Sequence, residues 1–160
     1  KQLHKIGEKY VGYKMKNLMT MANKVSFKNF NKGSGGGWHK DAYYNQFKSI
    51  LYLNETFDEN GPFELIENSN KILNTLDISF KLSKGYPNTR FTDYEIQKLK
   101  SRKIKKITGS AGTLILVDTS LLHRGSPLKS GVRYAITNYY IPIDLIENLE
   151  NHFLPKFSFT

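Results

Sequence analysis

Residues 104–142 read IKKITGSAGTLILVDTSLLHRGSPLKSGVRYAITNYYIP, and this stretch decides the fold. It contains three short runs rich in β-branched, aliphatic and aromatic residues, at Ile104–Thr108, Thr113–Asp118 and Val132–Ile141. Turn residues such as Ser110-Ala111-Gly112 separate them. Short runs of this composition between turn signals predict β-strands.

Two more runs of the same kind lie upstream, at Phe47–Leu53 and Phe63–Glu67, on either side of the turn Glu59-Asn60-Gly61-Pro62. Several short strands with this spacing predict an all-β sandwich or barrel. Residues 70–102 interrupt the series with a long polar stretch that also contains aromatic residues. A connection of this length inside a compact domain is usually functional or partly helical.

We expect residues 70–102 to form a variable wall or lid over the substrate. A short helix is predicted near Asp93–Lys100, capped by Thr92 or Asp93. The expected pocket residues of this stretch are Tyr86, Arg90 and Phe91.

The N-terminal segment has apolar residues at helix-like spacings over 3–22, with lysines between them. It predicts an amphipathic helix, so we expect residues 1–30 to be a helical N-terminal support. The glycine-rich loop at 31–37 (NKGSGGG) lacks the lysine-serine signature of a phosphate cradle. We expect it to be flexible backbone leading into the motif that follows.

Length and composition predict one soluble domain. The chain has 160 residues, of which 39% are hydrophobic. No stretch approaches the roughly 20 apolar residues of a membrane span. Since no secretory signal is visible either, we expect a cytoplasmic protein, although the start at Lys1 without a methionine indicates a trimmed or partial N-terminus.

The net charge of +10 comes from 24 Lys and Arg against 14 Asp and Glu. Such a balance is found in proteins that bind nucleic acid or another polyanion. The excess is mostly lysine, which an AT-rich genome would also encode without selection for binding. The basic run Lys98–Lys106 has few aromatics for base stacking, so we interpret it as a solvated strand edge or helix end.

The absence of cysteine excludes disulfides, zinc-thiolate sites and cysteine nucleophiles. A metal would therefore need His, Asp or Glu ligands. Of the four histidines, His4 and His152 lie near the chain ends, away from other motifs. The central pair, His39 and His123, is the natural candidate.

The spacing around this central pair is typical of a non-haem iron site with an anionic co-substrate. Asp41 follows His39 by two residues, and Arg133 follows His123 by ten. Residues two apart in an extended chain point the same way, and two imidazoles with one carboxylate leave positions open on iron. The alternative is a chance His-X-Asp triplet with an ordinary distal histidine.

The strand that carries Arg133 offers an independent argument. Arg133, Ala135, Thr137 and Tyr139 share one face of it. If this face lines a barrel interior, Arg133 is a buried cation without an acidic neighbour on its own strand. A bidentate carboxylate would satisfy it, and a dicarboxylate co-substrate is the simplest partner. The alternative is a surface-exposed Arg133.

Four segments resemble the Fe(II)- and 2-oxoglutarate-dependent dioxygenases of the phytanoyl-CoA dioxygenase superfamily: GWHKDA, FKSILYLNETFDENGPFELIENS, GSAGTLILVDTSLLHRGSP and GVRYAI. The resemblance implies a mainly β fold, the double-stranded β-helix or jelly-roll (cupin-type) barrel, with an N-terminal helix. It implies one dioxygenase-like domain over 1–160, with its barrel core at 35–142 and a long insert at 70–102.

The resemblance also assigns residues. His39, Asp41 and His123 match the Fe(II) ligands, and Arg133 matches the group that grips 2-oxoglutarate. Lys48 and Tyr52 lie on a strand that contacts this co-substrate in the family. For each of them three roles are open: it holds a carboxylate of the co-substrate, it faces the primary substrate, or it packs in the interior.

The implied activity uses O2 and converts 2-oxoglutarate to succinate and CO2 while a C-H bond of a small molecule is hydroxylated. Asp41 favours hydroxylation, since related halogenases lack this carboxylate. The alternatives are an oxygenase acting on nucleic acid or a protein side chain, and a non-catalytic barrel used as a binding module. The chain departs from many relatives at Ala135 and Gly125, where they carry Ser or Thr, and Ser126 or Thr137 are the expected substitutes.

Overall fold

The computed structural model describes residues 2–28 and 32–145. The helices are α1 (Gln2–Val11), α2 (Ile72–Leu82) and α3 (Asp93–Gln97), with one 3-10 turn at Asp58–Asn60. The strands are β1 (Met15–Ser26), β2 (Trp38–His39), β3 (Phe47–Tyr52), β4 (Phe63–Ile66), β5 (Arg90–Phe91), β6 (Ile104–Ile107), β7 (Leu114–Asp118), β8 (His123–Gly125) and β9 (Val132–Pro142).

The strands form two antiparallel sheets. The first has the order β1-β9-β3-β7, and the second has the order β5-β2-β8-β4-β6. An apolar cluster of residues from both sheets lies between them: Tyr52, Phe63, Ile115, Val117, Leu121 and Ala135. The mainly β, jelly-roll class predicted from the sequence is confirmed, although no described strand pairing closes the two sheets into a continuous barrel.

The five strands predicted from local composition are all present, each within one residue of its expected bounds. Turns interrupt the chain where expected: Gly61 ends the 3-10 turn before β4, and Gly112 lies before β7. The basic run at 98–106 covers the turn after α3 and the mostly exposed edge strand β6, which confirms its interpretation as a solvated edge.

The N-terminal segment differs from the prediction of a helix over 3–22 and a helical support over 1–30. Helix α1 ends at Val11, and Gly12 follows with a φ of 81°, a left-handed conformation that glycine adopts without strain. Strand β1 then pairs with β9 from Met15 opposite Pro142 to Ser26 opposite Val132. The spacing of apolar residues in this segment fits both a helical and a strand period. Pairing with the distant strand β9 stabilises the strand conformation.

The insert at 70–102 is more ordered than expected. The predicted short helix is present as α3, with Thr92 Oγ1 accepting a hydrogen bond from Glu95 N at 3.2 Å. Helix α2 was not anticipated. Together with β5 it contributes to a second apolar cluster: Trp38, Ile66, Ile78, Phe91, Ile96, Leu99 and Leu122. The insert thus supports the strand that carries His39, and its role as a lid stays a prediction.

Within the described ranges, none of the helices is both long and apolar enough to cross a bilayer. His152 lies outside the described residues.

Candidate active site

His39 and His123 are brought together by strand pairing. They are direct partners in the antiparallel ladder between β2 and β8, and their ring centroids are 4.3 Å apart. Opposed residues in such a ladder project to the same face of the sheet. Strand β2 has only two residues, but β5 pairs with its other edge, with Trp38 opposite Phe91.

Asp41 completes the cluster from just beyond β2. Its backbone N-H donates to Thr119 O at 2.9 Å. Asp41 Oδ1 lies 3.6 Å from His39 Nε2, and Oδ2 lies 3.6 Å from His123 Nε2. The three candidate ligand atoms lie within 4.8 Å of one another, and no other group of His, Asp and Glu in the described part of the chain is arranged in this way.

Backbone carbonyls orient both imidazoles. His39 Nδ1 donates to Gly37 O at 2.8 Å, and His123 Nδ1 donates to Leu121 O at 2.9 Å. Since a carbonyl only accepts, the proton of each neutral ring is on Nδ1. Each Nε2 therefore carries its lone pair toward Asp41, as a histidine does when it binds a metal.

The electrostatics keep the cluster in its metal-binding protonation state. Burial lowers the pKa of His123 to about 4 and lowers the pKa of His39 below its ordinary value of 6.5. Burial alone would raise the pKa of Asp41, but Lys48 and His123 together hold it below its ordinary value. At neutral pH the cluster is thus two neutral imidazoles and one carboxylate.

Lys48 on β3 is the cation nearest to this carboxylate. Its Nζ lies 2.5 Å from Asp41 Oδ2 and 4.0 Å from the centroid of the Tyr139 ring. The contact with Asp41 is a buried ion pair, with the ammonium lying directly against Oδ2. A buried carboxylate oxygen of this kind fits a metal ligand.

Lys40, between the two ligands of the His-X-Asp motif, points to the opposite side. Its buried Nζ donates to Ser69 O at 2.9 Å and to Ser120 O at 2.7 Å. It thereby ties the ligand-bearing segment to two other loops. Sequence reasoning did not identify this role, because the two acceptors are distant backbone carbonyls.

A cavity of about 280 Å³ lies beside the cluster, between the two sheets. Strand β3 contributes Lys48, Ile50 and Tyr52, and β9 contributes Arg133, Ala135, Thr137 and Tyr139. The four residues of β9 are those predicted to share one face of that strand. Further lining residues that the sequence did not reveal come from β1, β4, β8 and loops: Met21, Asn23, Ser34, Gly35, Phe63, Thr119 and Gly125.

Arg133 is a buried cation in this cavity, with 6% of its surface exposed, so the surface-exposed alternative is excluded. Its Nη2 donates to Ser34 Oγ at 2.6 Å. Within residues 2–28 and 32–145 no carboxylate lies at ion-pair distance from its guanidinium. A buried charge is costly without a partner, so the cavity favours an anionic ligand.

Tyr52 has both sides of its hydroxyl engaged, which favours the packing alternative, and its contact with a carboxylate stays a prediction. Its hydroxyl donates to Ile107 O at 2.8 Å and accepts from Phe63 N at 2.8 Å. The single hydroxyl proton is therefore engaged between strands. In the structure Tyr52 is a wall of the cavity, and Lys48 and Arg133 are the cations that face it.

The described part of the glycine-rich loop, from residue 32 onward, packs closely against the site. At Gly35, with a φ of 81°, a Cβ would lie 2.3 Å from His39 Cε1. At Gly125, on β8, a Cβ would lie 2.0 Å from Ser34 Oγ. Both positions need glycine because other atoms occupy the space of a side chain.

The three pocket residues expected from the insert do not line this cavity. The guanidinium of Arg90 donates to Gly35 O, Phe91 is buried behind β2, and Tyr86 is 82% exposed. Of the two expected substitutes for the family hydroxyl, Thr137 lines the cavity and Ser126 does not.

Comparisons with known proteins add to this geometry. A family model described as phytanoyl-CoA dioxygenase (PhyH) matches residues 4–134. A search of curated proteins found no match.

Three solved structures illustrate the likeness in fold. EctD from S. alaskensis in its apoform has a TM-score of 0.63 at 17% identity, and the match covers 88% of this chain and 50% of that one. AviO1 from Streptomyces viridochromogenes Tue57 has a TM-score of 0.60 at 14% identity, with 89% and 58% covered. The epimerase SnoN, in complex with Fe3+, alpha ketoglutarate and nogalamycin RO, has a TM-score of 0.63 at 12% identity, with 88% and 55% covered.

Other structures of EctD contain bound Fe, or 2-oxoglutarate with 5-hydroxyectoine. The chain spans only 50% to 58% of the length of the three proteins. At these identities the likeness concerns the fold.

Proposed function

Because the chain belongs to the phytanoyl-CoA dioxygenase family, we propose that it is an Fe(II)- and 2-oxoglutarate-dependent oxygenase that hydroxylates a C-H bond of a small molecule. The observation that carries this proposal is the cluster of His39, Asp41 and His123, whose ligand atoms lie within 4.8 Å of one another. Two imidazoles and one carboxylate on one face form the ligand set of non-haem iron oxygenases.

The described residues fit an iron ion. Both histidines hold an unprotonated Nε2, and the carboxylate of Asp41 lies 3.6 Å from each of these nitrogens. Bound there with 2-oxoglutarate, Fe(II) would supply O2 activation, so that the co-substrate leaves as succinate and CO2 and one oxygen atom enters the C-H bond. The protein itself orients the ligands and keeps both rings neutral.

The charges of the cavity fit a dianionic co-substrate. The two cations Lys48 and Arg133 and the single carboxylate of Asp41 give the cavity a net charge of +1, and Fe(II) would raise this net charge to +3. 2-Oxoglutarate removes two of these charges. Arg133 would grip its distal carboxylate, and Lys48, buried against Asp41, would stabilise the ligand carboxylate and the anion beside it.

Three observations favour a small molecule over the nucleic-acid or protein alternatives. The cavity measures about 280 Å³, which suits the co-substrate and a compact reacting group. The EctD and SnoN structures bind 5-hydroxyectoine and nogalamycin RO. The sharpest basic run, at 98–106, contributes nothing to the lining of the cavity.

The test begins with anaerobic addition of Fe(II) and 2-oxoglutarate. We expect a weak visible metal-to-ligand charge-transfer band, lost in His39→Ala and weakened in Arg133→Ala. The exposed Ser101→Ala variant is the matched control and should keep the band. A folded wild-type protein without a band would contradict the proposal and favour the non-catalytic binding module.

The outcome of the reaction needs a separate measurement, because the structural neighbour SnoN is an epimerase and another neighbour, SnoK, is a carbocyclase. Succinate release under air reports turnover of the co-substrate. A product heavier by one oxygen atom, with label from O2, supports hydroxylation. A product of unchanged mass, or one that has lost two hydrogens, contradicts hydroxylation while leaving the oxygenase assignment intact.

A further inference from the structure

Lys40 is a buried cation behind the candidate metal ligands. It lies between His39 and Asp41 in sequence, and 3% of its surface is exposed. Successive side chains of an extended chain point to opposite faces, so the Lys40 side chain leaves the ligand face while its two neighbours project from it. The ammonium therefore lies on the side of this segment away from the cavity, whose lining residues do not include Lys40.

The ammonium joins the two segments that carry the ligands. Lys40 Nζ donates to Ser120 O at 2.7 Å. Ser120 lies in the loop that leads from β7 into β8, three residues before His123. A charged donor makes a stronger hydrogen bond than a neutral one. This bond therefore holds the segment of His39 and Asp41 against the segment of the third ligand.

Ser69 extends this connection. Its carbonyl accepts from Lys40 Nζ at 2.9 Å, and its hydroxyl accepts from Leu122 N at 2.7 Å. Leu122 directly precedes His123, so this fully buried serine links the lysine to the backbone beside the third ligand. The Ser69 hydroxyl also donates to Ile66 O at 2.8 Å, which fixes its orientation. Lys40 and Ser69 thus form one buried bridge between the two ligand-bearing segments.

Strand pairing alone gives these segments little restraint. Strand β2 has two residues, and its described register with β8 is the single pair of His39 and His123. Asp41 lies beyond the strand, where its N-H donates to Thr119 O at 2.9 Å. A metal site needs its ligands held within about 0.5 Å of the productive geometry. The buried bridge supplies a restraint that so short a ladder lacks.

The charge of Lys40 adds little to the stability of the fold. Both of its acceptors are neutral carbonyls, and burial of a cation costs free energy. Asp118 attracts the ammonium, but this carboxylate already accepts hydrogen bonds from Gln46 N and Ser120 N at 3.0 Å. Methionine has a similar length and no charge, and such replacements of buried charges are often neutral for stability. Lys40→Met should therefore leave the metal-free protein about as stable as wild type.

We infer that Lys40 and Ser69 are positioning residues of the iron site, which hold its two ligand-bearing segments at a fixed separation from behind. The inference rests on the proposed function, because it concerns the affinity and the geometry of the metal that this function requires. Neither residue lines the cavity, so their effect on the metal passes through the backbone of its ligands.

The test uses Co(II) as the probe in place of Fe(II), because its visible spectrum reports coordination number and geometry. The metal-free wild type, Lys40→Met and the exposed Lys100→Met are titrated with Co(II). We expect Lys40→Met to raise the Kd of Co(II) about tenfold or more and to change the spectrum, because loss of a group that orients ligands weakens metal sites by such factors. Urea unfolding of the three metal-free proteins should give similar free energies. Lys100→Met is the matched control and should bind Co(II) as wild type does.

The other outcomes each have a defined meaning. A wild-type Kd and spectrum in Lys40→Met overturn the inference. Weaker Co(II) binding together with a large loss of unfolding free energy, or a variant that does not fold, also overturns it for Lys40, because the lysine then acts on the fold as a whole.

Ser69→Ala tests the second residue of the bridge, since it removes the acceptor of Leu122 N and keeps the carbonyl that Lys40 uses. Weaker Co(II) binding by the folded variant supports the positioning role of Ser69, and a wild-type Kd refutes it. If the wild type itself does not bind Co(II), the proposed function fails.

Discussion

His39 and His123 face each other directly across the β2-β8 ladder, and this single pairing places two imidazoles 4.3 Å apart on one face. A slip of one residue in the register would turn one ring to the opposite face of the sheet. The flanking pairing of β2 with β5 therefore matters for the metal site as well as for the sheet.

Asp41→Ala should abolish iron binding and also destabilise the metal-free protein. The substitution leaves Lys48 buried without its ion-pair partner, at a cost of about 3 to 5 kcal/mol. Urea unfolding measures this loss. The double variant Asp41→Ala/Lys48→Met should recover most of the stability and none of the iron binding. Equal stability of the two variants would show that the ion pair is not what Asp41 contributes.

Arg133→Met should change stability and binding in opposite directions. It removes a buried cation that has no described carboxylate partner, so the free energy of unfolding should rise by about 1 to 4 kcal/mol. The affinity for 2-oxoglutarate should fall at the same time. Arg133→Lys retains the positive charge but loses the bidentate geometry of the guanidinium, so it should bind 2-oxoglutarate more weakly than wild type. A drop in stability for Arg133→Met would mean that its packing outweighs the buried charge.

Tyr52→Phe distinguishes two possible roles of Tyr52, as a packing residue in the cavity wall and as a hydrogen-bond donor to a carboxylate of the co-substrate. The change removes the hydrogen bonds to Ile107 O and from Phe63 N, which should cost about 1 to 3 kcal/mol of unfolding free energy. The Kd of 2-oxoglutarate should not change, because the hydroxyl proton is engaged elsewhere. Weaker binding at full stability would restore Tyr52 as a carboxylate contact.

The buried histidines should make the metal-free protein sensitive to mild acid. The pKa of His123 is about 4 in the folded chain and near its ordinary value of 6.5 when unfolded. Between these values the unfolded state binds more protons, so the unfolding free energy should fall as the pH drops through 6.5 toward 4. Urea unfolding at about pH 7 and about pH 5 measures the change.

The variant that tests this pH effect is His123→Gln. In it the change in unfolding free energy between the two pH values should be smaller than in the wild type. The exposed Ser101→Ala variant is the control and should behave as wild type. The carboxylates with lowered pKa values, such as Asp77 and Glu95, lose their contribution below their ordinary values of 3.8 and 4.5, which lie under both pH values of the measurement. An unchanged dependence in His123→Gln would contradict the assignment.

Local patterns predicted the parts of the fold that local chemistry determines. Strands β3, β4, β6, β7 and β9 are runs of strand-forming residues between turns, and each was found near its expected bounds. Strand β1 was missed because its apolar residues fit a helical period, and its pairing with β9 spans more than a hundred residues. Helix α2 was missed within the polar insert, although turn residues stand on both sides of it, at Asn68-Ser69-Asn70 and at Gly85.

The residues of the candidate site also fall into those that local sequence patterns identified and those that depend on distant contacts. His39, Asp41, His123 and Arg133 were identified by residue type and spacing, and the structure brings them around one cavity. Their roles toward iron and 2-oxoglutarate stay proposals. Ser34 and Lys40 were not identified, because each acts through a contact with a distant segment. Nothing near them in sequence marks those partners.

The Nδ1 atoms of His39 and His123 both donate to main-chain acceptors, the carbonyls of Gly37 and Leu121, so side-chain mutations do not remove the hydrogen bonds that orient the two rings. Each acceptor is a main-chain atom two residues before its histidine, so no amino-acid exchange deletes it. In many metal sites a side-chain carboxylate has this task and can be lost in one step. Substitutions in the cavity walls can therefore change the shape of the cavity without removing either acceptor.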